Sequence, residues 1–312
     1  MAGAGDWRAE TLASPTGASL RLYSAAPSAG IRAIVQINHG LAEHAARYER
    51  FATFLAGRGY AVAAHDHRGH GASTAADAAL GRFGAGDGFA KVLDDVAAVQ
   101  AHARERFAGA PIVCFGHSMG AIIAFNFALR SPQDLAGVAV WNTSFDTPAL
   151  LGLMEALLKA ERFFKGSDVP SAIAGKATFD AWNKEFAPNR TAFDWLSRET
   201  AEVDKYVADP LCGFPASIGM WLAVIGAIRA GADDTRLAAL PKTLPFHLVG
   251  GGADPVSLHG AAIERLSARL KAAGLADVTT TVYPQTRHEC LNDINRHTVM
   301  ADFAAWLDAR FG

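Results

Sequence analysis

Residues 111–120 read Pro111-Ile112-Val113-Cys114-Phe115-Gly116-His117-Ser118-Met119-Gly120. The apolar run 112–115 predicts a buried strand, and the run 121–130, from Ala121 to Arg130, predicts the helix that follows it. Between the two stands Gly-x-Ser-x-Gly. A strand that enters a helix through so short a turn puts Ser118 at backbone angles that crowd the residues two places away on each side. Gly116 and Gly120 fill those places because a side chain there would collide. The hydroxyl is then held clear of the backbone with a helix N-terminus behind it, a setting that favours negative charge. In a chain with 30 glycines the pattern alone is only moderately specific; the flanking strand and helix give it weight.

Outward from this unit, strands and helices alternate. Residues 10–14 and 18–23 flank Pro15-Thr16-Gly17 and predict a hairpin. Residues 31–38 form an apolar strand ending in His39-Gly40, residues 48–58 have helical spacing, residues 60–65 are a buried strand, and residues 89–107 are a long helix. Further strands are expected at 135–141, 244–249 and 278–283, with a closing helix at 297–310. This predicts an α/β chain with a mostly parallel eight-stranded sheet covered by helices on both faces. From Asn142 to about Pro241 the alternation fails. That stretch is rich in helix formers, is apolar on a broad face at 150–164, and carries Trp182, Trp195 and Trp221. The expected division is therefore a first core segment at 1–141, a helical cap at 142–241 inserted after the sixth strand, and a second core segment at 242–312.

A strand, Gly-x-Ser-x-Gly and helix within such a sheet mark the α/β-hydrolase fold. Serine is a poor nucleophile until a base takes its proton, and that base needs an acid to fix its tautomer and stabilise its cation. In this fold the acid and the histidine follow the serine on loops after later strands. Asp254 follows the strand at 244–249 and His288 the strand at 278–283, which makes Ser118, Asp254 and His288 the candidate triad. Asp66 precedes the serine in the chain, Asp146 occupies a position that some hydrolases use, and Asp293 is expected to cap or to be solvated. His259 and His297 have helical neighbours and are expected at the surface. An oxyanion hole needs two backbone N–H groups where charge develops. Met119, after the nucleophile, supplies one, and Leu41, which Gly40 lets the backbone present, supplies the other.

Three histidines and an aspartate crowd the stretch from His65 to His70, but a polar loop buttressing the Leu41 loop is a better reading than a metal site. The glycine-rich run from Gly84 to Gly88 has no strand before it and no Gly-Lys-Ser/Thr after it, so it predicts a flexible loop rather than a phosphate cradle. Neither a metal nor a cofactor is expected. Cys290 lies close enough to His288 for a bulky thiol reagent to block the site, although a packed small residue is the preferred reading.

Composition bounds the rest. At 312 residues with half of them hydrophobic, the chain suits one large α/β domain with an insertion. A net charge of -2, without basic runs or interleaved aromatics, gives no sign of nucleic-acid binding. The three cysteines, Cys114, Cys212 and Cys290, cannot all pair and show no metal spacing, which suggests a reducing, cytoplasmic setting. Residues 1–8 lack the pattern of a signal peptide, and no segment is apolar enough to span a bilayer.

Several segments resemble the monoglyceride lipase and lysophospholipase group of α/β-hydrolases, within the serine aminopeptidase S33 type. They are His39-Gly40-Leu41-Ala42-Glu43-His44 with Arg47-Tyr48, the run from Asp66 to Ser73, Gly116-His117-Ser118-Met119-Gly120, and Arg287-His288-Glu289. In the cap, Leu196-Ser197-Arg198, Glu202-Val203-Asp204, Tyr206 and Asp209-Pro210-Leu211 match as well. The resemblance runs from about Ile31 to the C-terminus, with Ala121 where many members carry a third glycine. It implies a serine hydrolase of carboxylic esters of long-chain acyl groups, such as monoacylglycerols or lysophospholipids. Its partner would be a small-molecule acyl ester, with peripheral membrane contact through the cap left open. An aminopeptidase, which would use acidic residues such as Glu185, Glu199 or Glu202 to hold a free amine, and an acyltransferase are alternatives on the same triad. A non-catalytic binder is a third.

Overall fold

Uniform burial of the central strands is what makes alternating strands and helices into a layered sheet. The structure, a computed structural model, describes residues 6–312; residues 1–5, on which part of the reading about a leader falls, lie outside the described residues. Among the described residues eight strands form one sheet: β1 Arg8–Ala13, β2 Ser19–Ala25, β3 Ala33–Asn38, β4 Tyr60–His65, β5 Ile112–His117, β6 Gly137–Trp141, β7 Phe246–Gly251 and β8 Val278–Tyr283. Their order is β1-β2-β4-β3-β5-β6-β7-β8. The second strand is antiparallel to both neighbours, and β3 to β8 run parallel. Every residue of β3 through β7 is buried, as expected where both faces are covered.

The helices are α1 Glu49–Ala56, α2 Gly88–Arg106 and α3 Met119–Arg130. Between β6 and β7 come α4 Ala149–Lys165, α5 Ala172–Gly175, α6 Ala181–Lys184, α7 Thr200–Ala208, α8 Ile218–Gly231 and α9 Asp234–Ala238. The last two are α10 Ala261–Ala272 and α11 Arg296–Phe311. One sheet face packs on α1 and α11 through Phe51, Phe115, Trp141 and Phe303. The other packs on α2, α3 and α10 through Val96, Ile123, Phe125 and Leu266. Boundaries move by a residue or two from the sequence reading. The seventh strand, for example, runs on through Gly250 and Gly251, which pair with Val282 and Tyr283 but carry no apolar signal of their own. The glycine-rich run is only partly loop. Gly88 opens α2, and the Asp87 carboxylate caps it by accepting from the Ala90 N–H at 3.0 Å.

Candidate active site

At the end of β5 the chain turns into α3 through Ser118, whose φ of 56° and ψ of -121° lie outside the regions that side chains ordinarily adopt. The two glycines are there for want of space. A Cβ at Gly116 would sit 2.0 Å from the Gly120 carbonyl oxygen, and one at Gly120 would sit 2.0 Å from the Asn38 carbonyl oxygen. Any larger residue at either place would push apart β3, β5 and the start of α3. The Ser118 N–H is tied to the Trp141 carbonyl at 2.9 Å, so β6 braces the turn.

Asp254 lies just beyond β7 and His288 just beyond β8, and both are buried. The His288 Nδ1 meets the Asp254 Oδ1 at 2.9 Å. The carboxylate also accepts from the Val256 N–H at 3.0 Å, the Asn142 Nδ2 at 3.1 Å and the Ser257 N–H at 3.3 Å. Burial works to raise the Asp254 pKa, but His288 and the donors from Ser257 and Asn142 outweigh it and hold the carboxyl below its ordinary range. An ionised Asp254 fixes His288 with Nδ1 as the protonated nitrogen, which leaves Nε2 with its lone pair free to accept.

Ser118, His288, Leu41 and Met119 line one cavity of about 310 Å³. Gly40 passes so close that a Cβ there would lie 3.4 Å from the Ser118 Cβ, so the Leu41 loop runs beside the hydroxyl. The walls are apolar: Leu151, Met154 and Leu158 from α4, the aromatic rings of Phe179, Trp182 and Trp195, and Trp221 from α8. The 150–164 stretch thus serves two environments. Leu158 is fully buried, while Leu150, Leu153, Phe163 and Phe164 are exposed, the last two at 84% and 82%.

The other sequence candidates fall elsewhere. Asp146 lines the cavity but is held by Arg265 at 2.5 Å rather than by His288. Asp66 accepts from the Ala45 N–H at 2.8 Å and the His39 Nε2 accepts from the His67 N–H at 2.9 Å, so the polar loop does buttress the segment that carries Leu41. Asp293 departs from expectation. It is fully buried, accepts from Arg198 at 2.8 Å and from the Arg287 N–H at 2.9 Å, and so anchors the histidine loop instead of being solvated. Cys290 is fully buried as well, and its thiol donates to the Asn142 Oδ1 at 3.0 Å, which makes it a packed residue that a bulky reagent does not reach.

One cluster was not legible as a unit in the sequence. Glu43 accepts from the Gly40 N–H at 2.6 Å and from Arg47 at 2.5 Å, and Arg47 also forks onto Glu289 at 2.6 and 2.7 Å. A single guanidinium therefore joins the Leu41 loop to the residue after His288. The His117 Nε2 donates to the His288 carbonyl at 3.0 Å while its Nδ1 faces Glu43 at 3.5 Å. Burial works to lower the His117 pKa, but Glu43 reverses this and the net direction is up. The residues of this cluster are 246 positions apart at their extremes, which no local pattern spans.

Fold and site define an α/β-hydrolase. The family model described as serine aminopeptidase, S33, matches residues 29–295, and the chain belongs to that family. It is 28% identical over 292 residues to the monoacylglycerol lipase of Mycolicibacterium smegmatis, covering 90% of each chain. It is 31% identical to the human monoglyceride lipase, over 73% of this chain and 67% of the other. Among solved structures, a thermostable carboxyl esterase from Bacillus coagulans superposes with a TM-score of 0.89 at 24% identity, over 98% of this chain and 99% of the other. The chain is a monoacylglycerol lipase-like α/β-hydrolase.

Proposed function

We propose that the protein hydrolyses carboxylic esters, monoacylglycerols first among them, through an acyl-enzyme on Ser118. His288 takes the Ser118 proton as the hydroxyl attacks the ester carbonyl, then returns it to the leaving alcohol. Asp254 orients and stabilises the imidazolium, and the Leu41 and Met119 N–H groups hold the oxyanion. Water, activated by His288, releases the acid. The observation that carries this reading is the single apolar cavity onto which both Ser118 and the Asp254-bound His288 open. Residues 142–241 act as the cap that roofs the acyl chain, and the curated relatives' names point to the same substrate.

An aminopeptidase would hold a free amine with an unengaged carboxylate. The carboxylates that line the cavity, Glu43, Asp146 and Glu289, are each bound by an arginine, which favours the ester reading. Hydrolysis rates over monoacylglycerols, lysophosphatidylcholine and short aryl esters test the proposal. Monoacylglycerols should lead; activity on short esters alone would reject the acyl-cavity assignment.

The exposed end of α4 serves a lipid surface. Among the described residues no helix is long and apolar enough to cross a membrane, so contact would be peripheral. Phe163 and Phe164 stand beside Arg162 and Lys165, a pairing of apolar and basic groups suited to an interface. Burying a phenylalanine contributes roughly 1.5–3 kcal/mol. Replacing both with serine should lower partition onto anionic vesicles by on the order of 10²-fold, with short-ester turnover unchanged. Equal vesicle binding in a flotation assay would remove α4 from that role.

A further inference from the structure

Away from the cavity, three chemically matched side chains converge where the 142–241 segment meets the core. His44 follows the Leu41 loop, Asp209 ends α7 and Cys212 lies three residues beyond it. Each offers one ligand atom, and the three atoms lie within 4.8 Å of one another. The His44 Nε2 meets the Asp209 Oδ2 at 2.8 Å, while the Asp209 Oδ1 is engaged by the Leu211 N–H at 2.9 Å. The Cys212 N–H donates to the Asp209 carbonyl at 3.0 Å, and this turn brings the thiol back towards the pair.

The thiol is the decisive member. Cys290 donates to Asn142 and Cys114 accepts from Asn38. The Cys212 Sγ has no hydrogen-bond partner among the described residues, although the residue is only 9% exposed. Its surroundings are net negative: Arg47 is close, but it is already shared by Glu43 and Glu289, and Asp209 adds a further carboxylate. An imidazole, a carboxylate and a thiol in a negatively charged, largely buried setting are the ligands that zinc-class divalent cations take.

We propose that His44, Asp209 and Cys212 bind one divalent cation of the zinc class, with a water in the fourth position, and so clamp the 142–241 segment to the loop that carries Leu41. On binding, the Cys212 S–H bond breaks, the S–metal bond forms, and the proton leaves to solvent. The neighbouring ties run the same way. The Ala42 carbonyl accepts from the Tyr206 hydroxyl at 2.8 Å and from the Gly213 N–H at 2.9 Å, so a cation at His44 locks a contact already drawn together. None of the three ligands lines the cavity, and the site is separate from the Ser118 chemistry. Sequence spacing concealed it, because the histidine lies 165 residues before the aspartate.

Cobalt(II) and zinc(II) titration of the purified full chain tests the assignment. One equivalent of cobalt should produce a thiolate charge-transfer band, zinc should displace it, and zinc should raise the Tm. Cys212→Ser should abolish the band and the Tm shift. His44→Gln, which keeps a donor towards Asp209, should weaken cobalt by at least about 10-fold, the scale already met when only the shell around metal ligands is changed. Cys114→Ala should leave the band intact. Melting curves without metal confirm that each variant is folded. Absence of a thiolate band at millimolar cobalt, or a band that survives Cys212→Ser, overturns the proposal.

Discussion

Ser118→Gly should abolish hydrolysis and stabilise the protein in the same step. Losing a triad serine costs on the order of 10⁶ in kcat. The stability gain comes from the backbone. Ser118 sits at a φ of 56°, where a side chain is strained and glycine is not. Strain of this kind stores about 1–3 kcal/mol, and the extra freedom of glycine in the unfolded chain returns part of the gain. A net rise of about 1 kcal/mol is expected. Ser118→Ala should lose the same activity without the rise, because alanine keeps the Cβ that causes the strain. Urea midpoints and kcat for the three proteins separate these effects. A glycine variant less stable than the alanine variant would refute the strain, and near-normal turnover in either would remove Ser118 from the chemistry.

The same turn explains why so much of the candidate site is legible in the sequence. Gly116, Ser118 and Gly120 are neighbours in the chain, and their constraint is steric, so local pattern carries it. Asp254 and His288 are legible through topology: a parallel sheet delivers the ends of β5, β7 and β8 to one edge, and chain order then makes them the candidate acid and base. What escaped was whatever depends on which distant side chains meet. Asp293 reads in the sequence as a capping or solvated residue, yet Arg198 from the 142–241 segment and the Arg287 N–H draw it into a fully buried position. The Glu43, Arg47 and Glu289 cluster was visible only as matched family residues, without the fork that joins them. Asn142, at the start of the inserted segment, gives no sequence sign that it donates to Asp254 and accepts from Cys290.

Acid should unfold this protein well above the pH at which carboxylates titrate. Burial pushes His39, His65, His70 and His247 down from 6.5 to about 3, and it lowers His67 well below its ordinary value. In the unfolded chain these groups titrate near 6.5. A folded pKa below the unfolded one means that the unfolded state binds more protons between the two values. The stability is therefore complete above about 6.5 and is lost as pH falls towards 3. Each histidine removes up to about 1.4 kcal/mol per pH unit in that window. From pH 7 to pH 5 the five together remove on the order of 10 kcal/mol, comparable to the whole stability of a typical domain, about 5–15 kcal/mol. His117 works in the opposite sense: its pKa is raised by Glu43, so its contribution is present below 6.5 and disappears as pH rises. One opposing group does not cancel five. His65→Leu isolates one of the five. Both His65 ring nitrogens lack a protein partner among the described residues, so leucine deletes a titrating group without breaking a hydrogen bond. Urea midpoints between pH 8 and pH 5 should fall steeply for the wild type, and the variant's slope should be shallower by up to about 1.4 kcal/mol per pH unit. A wild-type midpoint that stays level to pH 5, or identical slopes for the two proteins, would show that these histidines take up protons without unfolding the core.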